Sequence, residues 1–182
     1  MNHFYKKIQN WFDYEDVFDL ALSRAKNGDR FVEIGVWKGG STAYMGVEIL
    51  NSKKKILYDA IDTFSGSSEH GDVSNWLYEE TVKNLRPIIK VKIVNIIKGH
   101  SLDVVNRYDN ESIDFCFIDG SHEYEYVKAD ILAYLPKIKK GGIIAGHDYN
   151  NEDWDGVVRA VDEIFGDNKK IIKTSWVYFN NQ

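Results

Sequence analysis

The sequence predicts an α/β fold with a central, mostly parallel seven-stranded sheet, its last strand antiparallel, and helices on both faces. Three observations carry this. Short apolar runs alternate with longer amphipathic stretches through most of the chain, the pattern of successive strand–helix–strand units. One run, I-D-F-C-F-I at 113–118, is too apolar for a strand with one wet face and suits the middle of a parallel sheet. Each of the first five runs also stops on glycine or polar residues: Gly35, Asp62, His100-Ser101, Asp119 and His147-Asp148. In a parallel sheet all five stops share one edge, where ligands bind.

The chain has 182 residues, 43% hydrophobic and 28% charged, which suits a single compact domain. A formal charge of -5 argues against a general nucleic-acid partner, which needs a basic excess. The single cysteine, Cys116, excludes a disulfide within the chain, and no CxxC metal site is present. That fits a reducing, cytoplasmic setting. The N-terminal M-N-H-F-Y-K-K lacks the apolar core of a signal peptide. No apolar run approaches the roughly 18 residues of a spanning helix, so no membrane partner is expected.

Residues 1–27 read as a helical extension before a domain at 28–182. Phe4, Tyr5, Ile8, Trp11 and Phe12 have the spacing of a short amphipathic helix packed on the domain or on a second subunit. Asp13 then caps a helix at 14–26 with Val17, Phe18, Leu20, Ala21 and Leu22 as its stripe, ended by Asn27-Gly28. The first strand is Arg30–Ile34. It breaks into the glycine loop G-V-W-K-G-G-S-T, where Gly39-Gly40 allow close approach and Ser41 or Thr42 caps a helix at 41–51. The second strand is Ile56–Ile61, closing on Asp62, and residues 63–73 read as a polar, mobile loop at the ligand edge, with His70 in it.

Ser74 is expected to cap a helix at 75–85 that Pro87 terminates, followed by a strand over Ile88–Ile97. A short helix at 102–108, the strand 113–118, and a helix at 122–135 capped by Ser121 come next, the last with Val127, Ile131, Leu132 and Leu135 on one face. A turn at 136–142, a strand Gly142–Gly146 and a helix at 157–165 opened by Asp155-Gly156 follow. Ile171–Ile172 and Trp176–Phe179 form a terminal hairpin around Lys173–Ser175.

The chemistry gathers at the strand ends. An acidic residue closing the second strand, here Asp62, suits the hydroxyls of a ribose. The loop lacks the second glycine of G-x-G-x-x-G and the G-K-[ST] of a P-loop, so a nucleoside without bound phosphates suits it better than a dinucleotide. Asp119, His122, His147 and Asp148 are the catalytic candidates. Two readings stay open: carboxylate and imidazole could share a divalent cation, Mg²⁺ or Mn²⁺, or His122 or His147 could act as general base held in one tautomer by Asp119 or Asp148. The plainer alternative is a capping Asp119 and a structural His147. His100 either lines an adenine pocket or is a turn residue. Trp37 and Lys38 either line the pocket or stand exposed. Trp154 and Tyr149 could stack on a substrate ring, while Tyr124 and Tyr126 read as helix surface.

F-V-E-I-G-V-W-K-G-G-S-T, Y-D-A-I-D-T-F, G-H-S-L, F-I-D-G-S-H-E-Y-E-Y-V-K-A-D-I and G-G-I-I-A-G-H-D-Y, together with G-V-V-R-A-V-D-E-I-F, resemble the motifs of class I S-adenosylmethionine-dependent methyltransferases, over roughly residues 28–166. The nearest likeness is to the small-molecule O-methyltransferase group called methyltransferase domain 24. The resemblance implies a Rossmann-like methyltransferase fold and S-adenosylmethionine as cofactor. Glu33, Gly35, Trp37, Gly39 and Ser41 would lie at its methionine end, Asp62 at the ribose, His100 and Ser101 at the adenine, and Asp119 beside it. Metal-dependent relatives imply Asp119, His147 and Asp148 as ligands for Mg²⁺ or Mn²⁺, although His147 stands where an Asp is common and Tyr149 where catechol-type enzymes carry Asn. The implied reaction is O-methylation of a small-molecule or carbohydrate acceptor, with a homodimer or an open pocket compensating for the short N-terminal extension. N-methylation, or a binding protein with a retained nucleoside pocket, are the alternatives.

Overall fold

A computed structural model describes residues 1–66, 73–149 and 154–181. Seven strands form one sheet: β1 (Arg30–Ile34), β2 (Leu57–Asp62), β3 (Val94–Lys98), β4 (Ile113–Ile118), β5 (Ile138–Gly146), β6 (Lys170–Ile172) and β7 (Ser175–Phe179). Their order is β3-β2-β1-β4-β5-β7-β6. β1 to β5 pair in parallel, while β7 runs antiparallel to both β5 and β6. The expected sheet is therefore present, strand for strand.

The helices are α1 (Glu15–Arg24), α2 (Gly40–Ser52), α3 (Leu77–Lys90), α4 (Ser101–Val104), α5 (Tyr124–Tyr134) and α6 (Asp155–Phe165). The alternation of side chains along β4 explains why they cover both faces. Phe115 and Phe117 join Phe18, Met45 and Leu85 in one core, with α1, α2 and α3 over it. Cys116 and Ile118 join Val127, Ile131 and Val161 in the other, under α4, α5 and α6. The sheet order reverses between β1 and β4, and a crevice opens there at the strands' C-terminal ends.

Several local expectations are corrected. Residues 4–12 are not a helix: one 3-10 turn, Tyr5–Lys7, gives way to extended chain. The Asn10 amide captures the Tyr5 and Ile8 carbonyls at 3.1 and 2.5 Å, and the rings of Tyr5 and Phe12 meet edge to face, 5.5 Å apart. These local bonds compete with a helix too short to sustain itself. Asp13, Ser41 and Thr42 are not caps: α1 and α2 begin without a side-chain cap, α2 from Gly39 at φ 89°.

Pro87 does not end α3 but lies inside it, and β3 is correspondingly shorter than the expected 88–97. The proline costs about 3 kcal/mol in a helix interior. Leu85 and Ile88, both 0% exposed, each return roughly 1.5–3 kcal/mol on burial, so the tertiary stripe Leu77-Thr81-Leu85-Ile88 overrides the break. α5 starts at Tyr124, with Ser121 Oγ accepting from the Glu123 amide at 3.3 Å, so His122 remains in the loop. Leu132 is half exposed, and Tyr134 takes its expected place in the core.

Candidate functional site

The crevice is a cleft of about 1200 Å³ lined by the ends of β1, β2, β4 and β5 and by the N-terminal segment 10–14. Its first wall is the glycine loop. Gly35 holds φ 90°, and a Cβ there would meet the Asp119 carbonyl oxygen at 2.0 Å; only glycine lets β1 turn against the end of β4. Asp62 staples this loop. Its Oδ2 accepts from the Val36 and Trp37 amides at 2.7 and 2.9 Å, and its Oδ1 from the Phe64 amide at 2.7 Å. These bonds hold Trp37 at φ 50°, a left-handed conformation uncommon for so bulky a residue. From behind, Thr81 Oγ1 donates to the Trp37 carbonyl at 2.6 Å and Asn84 to that of Lys38 at 3.0 Å.

Glu33 and Gly39 shape this wall from outside the cleft. Glu33 is buried, and its carboxylate accepts hydrogen bonds from the hydroxyls of Ser41, Thr42 and Tyr58. Burial drives its pKa up to about 7, against the opposing pull of the hydroxyls. The expected hydroxyl caps are thus spent on a buried acid that ties β1 to α2. A Cβ on Gly39 would strike Leu85 of α3 at 2.8 Å. Gly35, Trp37, Ser41 and Asp62 do line the cleft.

At the far side, exposed His100 caps α4, its Nδ1 accepting from the Leu102 amide at 3.3 Å. Ser101 donates to Asp130 Oδ1 of α5 at 2.5 Å and is buried. His100, Ser101 and Asp130 all line the cleft.

The four catalytic candidates converge on the cleft floor. Asp148 sits at φ 59°, which swings its carboxylate toward both histidines: Oδ2 lies 2.8 Å from His122 Nε2 and 3.3 Å from His147 Nδ1. Burial opposes its charge, but those hydrogen bonds and the histidine charges outweigh it and hold Asp148 well below the usual carboxylate range. Asp119 is pushed up to about 6, chiefly by burial, with His147 pulling it down and Asp148 pushing it up. For His147, burial disfavours the imidazolium, yet the hydrogen bond to Asp148 and the charges of Asp119, Asp148 and Asp13 prevail and raise it to about 9.

Two neighbours were missed from the sequence. Tyr14 donates to Asp119 Oδ2 at 2.8 Å, and Asp13 Oδ1 lies 2.9 Å from His147 Nε2, which also meets Thr174 Oγ1 at 2.9 Å. Both precede β1, and nothing in local spacing links them to strand ends more than a hundred residues on.

His122 packs its ring 4.2 Å from that of Trp154. Gly156 lets α6 approach its backbone closely: a Cβ there would lie 2.4 Å from the His122 carbonyl oxygen. Among the described residues, Asp119, His122 and Asp148 are the group whose donor atoms all lie within 4.8 Å of one another; His147, expected as the third ligand, turns its Nε2 to Asp13 and Thr174 instead. Two carboxylates and an imidazole suit Mn²⁺ or a similar cation. Tyr149 is core, its hydroxyl on Asp162 at 2.8 Å, so it is not a ring platform. His3 pairs with Glu48 at 2.7 Å on the surface. His70 and most of the expected loop 63–73 lie outside the described residues, within which no helix is long and apolar enough to cross a membrane.

Comparison with known proteins agrees with this architecture. An uncharacterized protein of Acanthamoeba polyphaga mimivirus is 34% identical over 157 residues, 82% of this chain; the chain spans 65% of that protein's length. Among solved structures, the O-methyltransferase NovP superposes with a TM-score of 0.71 at 19% identity, covering 92% of this chain and 79% of its own. A TDP-rhamnose 3'-O-methyltransferase of calicheamicin biosynthesis gives 0.66 at 16% identity, covering 92% and 77%. Likenesses so distant in sequence show the fold. The profile of the methyltransferase domain family matches residues 32–149, from β1 through the β5 loop. The chain belongs to that family, the methyltransferase domain 24 group of class I S-adenosylmethionine-dependent methyltransferases.

Proposed function

We propose that this protein O-methylates a hydroxyl of a small-molecule or carbohydrate acceptor, with S-adenosylmethionine as donor and a divalent metal, Mn²⁺ or Mg²⁺, assisting. The observation that carries the reading is the convergence of Asp119, His122 and Asp148 on the floor of the same cleft that the glycine loop and Asp62 open into.

The residues fit both groups. A cleft of about 1200 Å³ exceeds the roughly 300–1,000 Å³ of most small-molecule sites, leaving room for cofactor and acceptor together. Its acidic lining favours a sulfonium cation. Gly35, Trp37 and Ser41 would hold the methionine end, Asp62 the ribose, and His100 and Ser101 the adenine, with Asp119 beside it. S-adenosylmethionine supplies an electrophilic methyl group when bound; a metal held by Asp119, His122 and Asp148 would lower the pKa of a coordinated hydroxyl.

The chain's own part is alignment and proton removal. The acceptor oxygen gains a bond to the methyl carbon as the carbon–sulfur bond breaks, and its proton passes to the protein. His147, held as a cation by three carboxylates, is a poor base near neutrality; it offsets charge at Asp119 and Asp148. Without metal on their ligand atoms, Asp119 and His122 are the groups left to accept the proton. N-methylation is the competing reading.

The first test is calorimetric titration with S-adenosylmethionine and S-adenosylhomocysteine, with and without Mn²⁺ or Mg²⁺. Micromolar binding that responds to metal is expected. No binding of either ligand under any metal condition overturns the methyltransferase reading and leaves a binding module on this fold.

A further inference from the structure

We infer that Tyr14 is a positioning residue of the cation site: its hydroxyl holds one oxygen of Asp119 and leaves the other to a divalent metal. The inference rests on the metal-assisted reading above and adds to that site a residue outside the family-matched span 32–149.

Tyr14 reaches the site by packing along β4. Its ring stacks on that of Phe117, centres 4.6 Å apart and planes inclined by 28°. The rings of Phe12 and Phe18 meet it edge to face at 4.7 and 5.4 Å, and Tyr14 is buried. A ring clamped on three sides delivers its hydroxyl to one place. That place is Asp119 Oδ2, two residues beyond Phe117, where the hydroxyl donates at 2.8 Å. The bond fixes the rotation of the Asp119 carboxylate.

Asp119 Oδ1 is left over. Among the described residues no hydrogen bond is made to it; His147 Nδ1 stands 3.9 Å away, beyond hydrogen-bonding distance. His147 is held at that remove from its other side. Its Nε2 meets Asp13 Oδ1 and Thr174 Oγ1, both at 2.9 Å, and its Nδ1 lies nearer to Asp148 Oδ2, at 3.3 Å. Asp119 therefore brings one engaged and one open oxygen to the cluster with His122 and Asp148, whose donor atoms lie within 4.8 Å of one another.

Charge allows a divalent cation beside the imidazolium. The carboxylates of Asp13, Asp119 and Asp148 all face His147. The positive charge on His147 offsets one of these three, and two remain. Hydrogen-bond partners that orient a ligand carboxylate carry much of a site's metal affinity, because a ligand free to turn must be ordered on binding.

The test is titration with Mn²⁺, read from the electron paramagnetic resonance signal of the free ion, with and without S-adenosylhomocysteine. Melting temperature and S-adenosylhomocysteine affinity are measured on the same samples. Tyr14→Phe keeps the packed ring and removes the donor alone. It should weaken Mn²⁺ binding roughly tenfold or more, with S-adenosylhomocysteine affinity unchanged. Tyr58→Phe is the control, since Tyr58 donates to a different buried acid, Glu33; it should bind Mn²⁺ as the wild type does, whatever its stability. Wild-type Mn²⁺ affinity in Tyr14→Phe overturns the inference alone. So does an equal loss in Tyr58→Phe, which would make the effect one of stability. No Mn²⁺ binding by the wild type overturns the inference together with the metal half of the proposed function. Whether S-adenosylhomocysteine binds decides the cofactor reading separately.

Discussion

Tyr14 donates its phenolic hydrogen to Asp119 Oδ2 at 2.8 Å, across 105 residues of chain. Burial and the nearby acids keep Tyr14 protonated, so it is always the donor. Its bond stabilises the Asp119 carboxylate against the burial that raises its pKa to about 6. Tyr14→Phe should therefore move the acidic limb of the pH–rate profile to higher pH, without weakening cofactor binding. An unmoved limb would show that Asp119 does not titrate in catalysis.

Asp148 occupies φ 59°, a conformation Asn adopts more readily than most residues. Asp148→Asn should thus keep the loop while removing the charge that faces His122 and His147. Turnover should fall by about 100-fold or more, with S-adenosylhomocysteine affinity near wild type and metal binding weakened. Normal methyl transfer by this variant, assayed by product mass, would remove Asp148 from the mechanism.

Asp62 serves the loop and, as proposed, the ribose. Asp62→Ala orphans the Val36, Trp37 and Phe64 amides. We expect cofactor affinity to drop about tenfold or more and stability to fall by roughly 1–3 kcal/mol. Calorimetry and denaturant melts measure the two. Lost affinity with unchanged stability would mean that the amides find water instead.

Glu33 makes stability depend on pH. Its folded pKa is about 7, against 4.5 for the free group, because burial disfavours the carboxylate. The folded state therefore holds a proton that the unfolded chain releases in that window. The contribution, on the order of 3 kcal/mol, is complete below the unfolded pKa and is lost as pH rises through the folded one. Glu33→Gln should flatten this part of the curve. Denaturant midpoints of both proteins at about pH 5 and about pH 8 provide the check; equal slopes would place Glu33's titration elsewhere.

The strands and the polar residues at their ends were legible in the sequence because each is a local pattern. A run such as Ile113–Ile118 is apolar at both parities, and only a strand covered on both faces accommodates that. Helix ends were less legible. Asp13, Ser41 and Ser121 have the composition of caps, but the first two carboxylate or hydroxyl groups are taken by His147 and Glu33, partners distant in sequence or on another element. Pro87 reads as a stop, yet the burial of Leu85 and Ile88 carries α3 past it. Local propensities of about 1–3 kcal/mol yield where packing offers as much or more.

The sequence by itself determined the α/β class, the strand count and the edge at which Asp62, Asp119, His122, His147 and Asp148 meet, because periodicity and parallel pairing follow from backbone geometry. Only the tertiary structure decided which of them face one another: that His122 joins Asp119 and Asp148, that His147 is held between Asp148 and Asp13, and that Asn10, Trp11, Phe12 and Tyr14 line the cleft. Those pairings depend on the packing of a segment without regular structure against strand ends far along the chain, and no local pattern encodes a contact of that kind.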